Sequence, residues 1–404
     1  MADTAYDVII VGAGPSGLLA AETLATQGKN VVVLEKDQIP GKDKPCGGFL
    51  TLKGVQEGQI PISLAERITK GISLSIPESP IYHVDYPTPV GIQITREALG
   101  RHLCQRAEAA GAKVLLQHQV TNCLREDRLW RIISRGSTKE LQGTLLIGAD
   151  GVNSTVARQA GIRPRFRKDQ LGLTVQVQIA LPEEEITQRF GKRMELYYGR
   201  GVCPYGYLWI FPKRDVVYVG VGSLLSAVTD RLERYLHRFI EAHPRGKIQL
   251  AGGLLQMKER ALVPLTFERP SIANGVLLVG DAAGHCSAIT GEGIHYALMA
   301  GMLAGEIATK ALDKGDTSTR YLQRYENRWQ RLFGGDLKWG LRLRNYFYQS
   351  LTTSIDVSSG LVSNQRFLKL AADIIVGIRP YRDTILRAIP FFLWQRFKRV
   401  ISLG

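Results

Sequence analysis

The chain opens with a short β-branched run, YDVIIV at 6–11, that ends on a glycine and reads as a buried strand. Residues 16–27 carry apolar positions at helical spacing, and NVVVLE at 30–35 reads as a second strand, so the chain begins with a strand, helix, strand unit. Residues 95–110 again show helical spacing, whereas 113–117 and 144–147 are strand-like. Apolar runs at 171–181, 193–198, 205–211 and 216–221 follow one another without long intervening helices, which predicts a largely antiparallel sheet. VLLV at 276–279 returns to the pattern of a strand buried on both faces, and 294–312 reads as a long helix. From 334 onward the pattern is helical, rich in Arg, Lys and large apolar residues, with neither repeats nor low-complexity tracts. The expected class is α/β. Residues 1–165 and 266–333 form one interrupted domain, 166–265 an inserted antiparallel β domain, and 334–404 a helical C-terminal region.

Composition narrows the partners. At 404 residues and 45% hydrophobic, the chain can bury a large core across two or three domains that share one ligand. Its 52 Lys and Arg against 37 Asp and Glu leave a net charge of +15, which suits an anionic partner: a phosphorylated cofactor, a diphosphate or a membrane surface. No recognised nucleic-acid motif accompanies that charge, so nucleic acid is not expected. The last stretch, 334–404, holds 11 Lys or Arg against 4 Asp and so nearly half of the excess. The five cysteines (Cys46, Cys104, Cys123, Cys203, Cys286) are scattered and form no CxxC pair, which argues against a disulfide framework and a structural zinc site and points to a reducing cytoplasm. Residues 1–5 are short and polar, and no run of about 18 uncharged apolar residues occurs, so neither a signal peptide nor a membrane span is expected.

The first glycine-rich loop carries chemistry. GAGPSG at 12–17 fits GxGxxG between a strand and a helix: Gly12 makes the tight turn, Gly14 lets a pyrophosphate approach the backbone, and Gly17 lets helix and strand pack, while the helix N-terminus favours phosphate charge. Glu35 ends the next strand 18 residues after Gly17, where a carboxylate accepts hydrogen bonds from ribose hydroxyls. This unit binds a dinucleotide without separating NAD from FAD.

GDAAG at 280–284, after an apolar strand, resembles the GD box with which flavoproteins bring an Asp to the FAD ribityl chain. GADGVNSTVAR at 148–158 resembles the DG box of the aromatic hydroxylase group, with Arg96 in a matching Arg-plus-helix segment. The resemblance implies a Rossmann-type FAD-binding domain of the p-hydroxybenzoate hydroxylase-like group, shared by FAD hydroxylases, tryptophan halogenases and geranylgeranyl reductases. Three further segments choose within it. PCGG at 45–48, YLWIFP at 207–212 and TGEGI at 290–294 resemble signatures of the geranylgeranyl reductase family, and the likeness spans roughly 6–312. It implies FAD contacts at Gly12, Gly14, Ser16, Gly17, Glu35, Cys46, Gly47, Arg96, Val120, Asp150, Asp281, Gly291, Gly293 and Ile294, substrate contacts at Tyr207, Trp209 and Phe211, and catalytic roles for Cys46 and Tyr207. The external electron donor it implies is NADPH or ferredoxin.

In that family a reduced flavin saturates isolated double bonds of a polyprenyl chain on a diphosphate, a chlorophyll precursor, a quinone or a lipid. An isolated alkene has no carbonyl to take up charge, so hydride delivery must be joined by a placed proton donor in a dry pocket. A free thiol is largely protonated at neutral pH and suits Cys46 to that part; the bland reading is a small buried hydrophobe in a loop. Tyr207, Trp209 and Phe211 alternate along one strand and so share a face, which lines an apolar tunnel or is simply one core face of a sheet. Two positions depart from the family pattern: Ala288, where relatives commonly carry proline, and Phe49-Leu50-Thr51 in place of a further glycine. The tail at Pro390, Phe391, Phe392, Leu393 and Trp394, followed by Arg396, Lys398 and Arg399, mixes aromatics with cations and suits an anionic lipid surface, or a helix packed on the body. The location expected is cytoplasmic and peripheral at a membrane. The alternatives are an FAD-dependent monooxygenase or halogenase, the halogenase disfavoured by Tyr207 and Phe211 where its signature has Trp and Ile, and a lipid-binding flavoprotein with structural FAD, disfavoured by Glu35, Asp281 and Cys46 together.

Overall fold

The computed structural model describes residues 5–42, 44–76, 80–137, 139–199, 201–352, 364–388 and 390–391. Parallel strands form the centre of an eight-stranded sheet, in the order Val276–Leu278, Leu141–Gly148, Ala5–Val11, Val31–Leu34, Lys113–Leu115. Antiparallel Ile272–Ala273 closes one edge, and the antiparallel pair Gln119–Glu126 and Leu129–Arg135 attaches to Leu141–Gly148. The first strand is apolar on both faces because both are covered. Val8 and Ile10 pack with the helices Pro15–Thr26, Arg96–Ala109 and Ile294–Asp313, while Ile9 and Val11 face Trp130, Ile132 and Val156.

A second sheet of seven strands runs Leu254–Pro264, Leu171–Ala180, Val216–Leu224, Gly206–Pro212, Arg193–Tyr198, Gly71–Ser75, Tyr82–Asp85. The insertion is thus not confined to 166–265: two strands come from the first part of the chain, and Arg193–Tyr198 pairs with Gly71–Ser75 in parallel, the one parallel pair of this sheet among the described residues. Strand periodicity places Leu208 and Ile210 on the back of this sheet, under Phe239 of the helix Leu232–Ala242, and turns Tyr207, Trp209 and Phe211 to its front. A three-stranded sheet of Phe49–Thr51, Gly91–Gln93 and Arg67–Thr69 follows the PCGG loop, and its strands flank Gly71–Ser75 and Tyr82–Asp85 of the second sheet in sequence.

The C-terminal region is helical as expected, with Gly335–Thr352 and Gln365–Ile375. Its described part packs onto the body. Ala372 and Val376 join the front core of the second sheet, and Asp373 accepts hydrogen bonds from Tyr86 Oη at 2.8 Å and Arg379 Nε at 3.0 Å and pairs with Lys369. Phe392, Leu393, Trp394, Arg396, Lys398 and Arg399 lie outside the described residues.

Candidate active site

The dinucleotide loop has the geometry its glycines require. Gly12 has a φ of +101°, and a β-carbon on Gly17 would collide with the Gly12 carbonyl oxygen, so the helix Pro15–Thr26 can begin only against a bare glycine. A β-carbon on Gly14 would meet nothing nearer than 4.0 Å, which leaves its backbone open to an incoming group. Glu35 is buried and braces the loop, with Oε2 accepting from Ala13 N at 2.7 Å and Oε1 from Asp37 N at 3.0 Å. The segment after the third parallel strand folds over it, His118 N donating to the Glu35 carbonyl at 2.7 Å, and leads directly to Val120, which is buried.

The distant boxes converge on this loop. A β-carbon on Gly280 would lie 2.7 Å from Ser16 Oγ, and one on Gly293 would lie 3.6 Å from Asp281 Oδ1, so the GD box bridges the GxGxxG loop and the TGEGI turn. Burial pushes the Asp281 carboxyl up, opposed by the charges of Arg96 and Lys44. Arg96 Nε is buried with no hydrogen-bond partner among the described residues. A buried guanidinium NH facing a carboxylate beside an open glycine turn fits the phosphates and ribityl chain of FAD, which Gly12, Gly14, Gly17, Arg96 and Asp281 would hold and whose ribose Glu35 would meet. Asp150, expected at the cofactor, accepts from Ser154 Oγ at 2.6 Å, Thr155 N at 2.7 Å and Val156 N at 3.1 Å, which ties it to the start of the helix Thr155–Gln159, capped by Ser154, behind Gly12. Arg163, not anticipated from sequence, ties the GD box from outside by donating to the Ala282 carbonyl at 2.5 Å while stacking on Phe166.

Beyond the GD box lies a mainly apolar cavity of about 170 Å³. Its walls are Cys46 and Gly47 of the PCGG loop, Tyr207, Trp209 and Phe211 of the aromatic strand, and residues 290–294 of the TGEGI turn. The three segments singled out separately in the sequence therefore line one space. The PCGG loop lies on the Phe211 ring so closely that a β-carbon on Gly47 would overlap it. Tyr207 Oη donates to the Thr290 carbonyl, which pins the strand to the TGEGI turn, and Trp209 Nε1 donates to Gln176 Oε1 at 3.3 Å. Both departures from the family pattern, Phe49 and Ala288, are in the wall. The C-terminal region closes the space: Ile375 lines it, and buried Tyr381 shares a hydrogen bond of 2.6 Å with Ser287 Oγ behind the turn.

Of the five cysteines only Cys46 is half-exposed; the other four are buried. Its Sγ accepts from Gly48 N at 3.4 Å. Cys286 is held well above the usual thiol range by burial first and then by the Asp281 and Glu292 charges, so it stays a neutral packing residue. Glu292 lines the cavity and was not picked out in the sequence; burial pushes its carboxyl up. Lys213 was also missed, and it is fully buried behind the PCGG loop. Nothing in its immediate sequence, a strand end followed by Arg214 and Asp215, marks it as buried. Among the described residues no group of three His, Cys, Asp or Glu is placed to hold a metal, and no helix is long and apolar enough to cross a membrane.

Fold and site define an FAD-dependent oxidoreductase, and residues 7–215 match the family described as FAD dependent oxidoreductase. Digeranylgeranylglycerophospholipid reductase 1 of Methanococcoides burtonii is 31% identical over 98% of this chain and 97% of its own. Digeranylgeranylglycerophospholipid reductase 2 of the same organism is 35% identical, over 85% and 84%. Among solved structures, a geranylgeranyl bacteriochlorophyll reductase-like protein from Thermoplasma acidophilum superposes with a TM-score of 0.78 at 24% identity, covering 96% of this chain and 99% of that one. A flavin-dependent brominase shares the fold at a TM-score of 0.68 and 17% identity, covering 96% and 100%. The chain belongs to the geranylgeranyl reductase family of FAD-dependent oxidoreductases.

Proposed function

We propose that this enzyme saturates isolated double bonds of a polyprenyl chain carried on a lipid, and the observation that carries the reading is the shared cavity. One apolar space is walled by the Cys46 loop, by the Tyr207, Trp209, Phe211 face and by the TGEGI turn next to the GD box. Bound FAD, when reduced, supplies the hydride. The protein supplies the rest. The aromatic face excludes water and holds the isoprenoid extended, Tyr207 fixes the turn against that face, and the Cys46 thiol gives a proton to the alkene carbon that does not receive the hydride. Each double bond thus takes up one hydride and one proton, and the thiol is restored by a proton from solvent. The names of the two curated relatives support a glycerophospholipid as the carrier of the chain.

The test is anaerobic. The dithionite-reduced holoprotein is mixed with geranylgeranylated glycerophospholipid, geranylgeranyl diphosphate, a prenylated chlorophyll precursor or a prenylquinone, and the products are weighed by mass spectrometry. A gain of two mass units per double bond is expected, greatest with the glycerophospholipid. No gain with any of them, together with substrate-dependent oxygen uptake in air, would overturn the reading in favour of a monooxygenase. NADPH and reduced ferredoxin, tried in place of dithionite, separate the two classes of physiological donor.

A lipid substrate lies in a bilayer, and we place the contact with that surface in the C-terminal region, with its 11 Lys or Arg against 4 Asp. Ile378 and Leu386 are exposed apolar residues of its described part. Co-sedimentation with vesicles containing anionic phospholipid is expected, and it should weaken at least about 10-fold when Arg396, Lys398 and Arg399 become Gln, at roughly 1 kcal/mol per cation near such a surface. Unchanged binding by that variant would move the contact elsewhere.

A further inference from the structure

Lys213 has no exposed surface, and its ammonium must therefore find partners inside the protein. Nζ donates to the Gly47 carbonyl at 2.6 Å and to Gln93 Oε1 at 3.0 Å, and it stands 4.9 Å from the centre of the Tyr218 ring. Gln93 is itself held, its Nε2 donating to Thr69 Oγ1 at 3.2 Å, so the amine is fixed from the three-stranded sheet as well as from the PCGG loop. A β-carbon on Gly48 would come within 2.8 Å of Nζ, so the second glycine of PCGG makes room for the amine.

The carbonyl of Gly47 and the N–H of Gly48 belong to one peptide unit. Lys213 donates to its oxygen end, and Cys46 Sγ accepts from its nitrogen end at 3.4 Å. A cation on the oxygen draws electron density through the amide and strengthens the N–H as a donor. We propose that Lys213 is a positioning residue that acts on Cys46 through the Gly47–Gly48 peptide, holding the thiol in the cavity wall and stabilising its sulfur when it carries negative charge. The proposal rests on the reading of Cys46 as the proton donor, because a donor that gives up its proton leaves a thiolate in an apolar space.

The charge on this amine is adjustable. Burial lowers the Lys213 ammonium from its usual range to about 7, opposed by Cys46 and Glu66. The groups that face it are Cys46 from the loop, Glu66 ahead of the strand Arg67–Thr69, neutral Gln93, and Tyr218, whose phenol burial pushes up to about 12; Arg67 Nε binds the Lys213 carbonyl at 3.1 Å. The relay is strongest at pH values well below 7, where the amine is fully charged, and fades through about pH 7 as the amine loses its proton.

The test reads Cys46 without turnover, which keeps its failure separate from a failure of the reductase reading. In the FAD-loaded holoprotein, half-exposed Cys46 is alkylated with iodoacetamide ahead of the four buried thiols, and its rate is followed by peptide mass spectrometry against pH. The wild type is expected to show a second inflection near pH 7 besides that of the thiol itself. Lys213→Met, which keeps the volume and removes the charge, should lose that inflection and react about 10-fold more slowly at neutral pH, the effect of about one pKa unit. Gln93→Leu keeps the amine but takes away one partner, and should move the inflection to lower pH. A wild type with a single inflection, or a Lys213→Met protein that keeps both, would overturn the proposal. Faster labelling of Lys213→Met with a single-thiol profile would reduce Lys213 to a loop brace and overturn the electrostatic relay. If Lys213→Met does not fold with FAD bound, the wild-type profile and Gln93→Leu decide.

Discussion

A Gly17→Val protein is expected to purify without the yellow of bound flavin. The reason is local and steric. The helix Pro15–Thr26 starts directly against the turn at Gly12, and any β-carbon at 17 runs into the Gly12 carbonyl oxygen, with Ala149 Cβ only 3.0 Å away on the other side. A branched side chain must push the helix start off the end of the first strand. That displaces the backbone N–H groups that the pyrophosphate needs, and it moves Ser16 away from Gly280 and so loosens the GD box. FAD affinity should fall by about 100-fold or more, near 3 kcal/mol, by titration calorimetry and by flavin absorbance of the purified protein. Because the change also disturbs a buried helix, Glu35→Ala serves as a companion without a clash: it removes the carboxylate that braces the loop at Ala13 N and that is expected to meet the ribose, and should also weaken FAD. Full flavin occupancy in both variants would show that the dinucleotide binds elsewhere.

The second large effect is expected at Cys46. Cys46→Ala should keep FAD, still be reduced by dithionite, and yet be reoxidised by prenyl substrate about 100- to 10,000-fold more slowly, the range over which a positioned proton donor contributes. Cys46 lines the cavity and only partly packs on the main core, and among the described residues its Sγ has the one weak hydrogen bond from Gly48 N at 3.4 Å, so its removal should change the melting temperature little. Cys46→Ser should recover part of the rate, since a hydroxyl can still donate. Stopped-flow observation of the flavin under anaerobic conditions separates the two variants. An unaltered rate in Cys46→Ala would transfer the donor role to another group of the wall, with Glu292 the first to test, its carboxyl pushed up by burial.

These expectations rest on residues whose legibility differed for physical reasons. The dinucleotide loop could be read because turn, close approach and packing each demand glycine at fixed spacing, and Gly12, Gly14 and Gly17 meet those demands where the pattern placed them. The aromatic strand was legible because period-2 alternation survives folding: Tyr207, Trp209 and Phe211 do share the front face while Leu208 and Ile210 turn to the back. Short strands were not. Gly71–Ser75 and Tyr82–Asp85 are too brief and too polar to announce themselves, and their place in the second sheet follows from the pairing of Gly71–Ser75 with Arg193–Tyr198, more than 100 residues away, onto which Tyr82–Asp85 then adds. Lys213 was hidden for a similar reason. Its importance lies in the absence of water around its ammonium, a property of the assembled loop and sheets that no local pattern of residues expresses.

The parallel pair between Gly71–Ser75 and Arg193–Tyr198 also governs how this enzyme can be re-engineered. The substrate half is not a cassette. Exchanging 166–265 with a relative to transplant chain preference would bring in Arg193–Tyr198 and the aromatic face but leave behind Gly71–Ser75 and Tyr82–Asp85, so a foreign strand would have to register against a native one. A mismatch there leaves buried backbone groups unpaired along the floor of the cavity, just beneath Met194 and Leu196. A working chimera therefore has to carry two separate stretches of chain, the insertion and a second stretch from ahead of Phe49 to beyond Gln93, so that the three-stranded sheet is also of one origin.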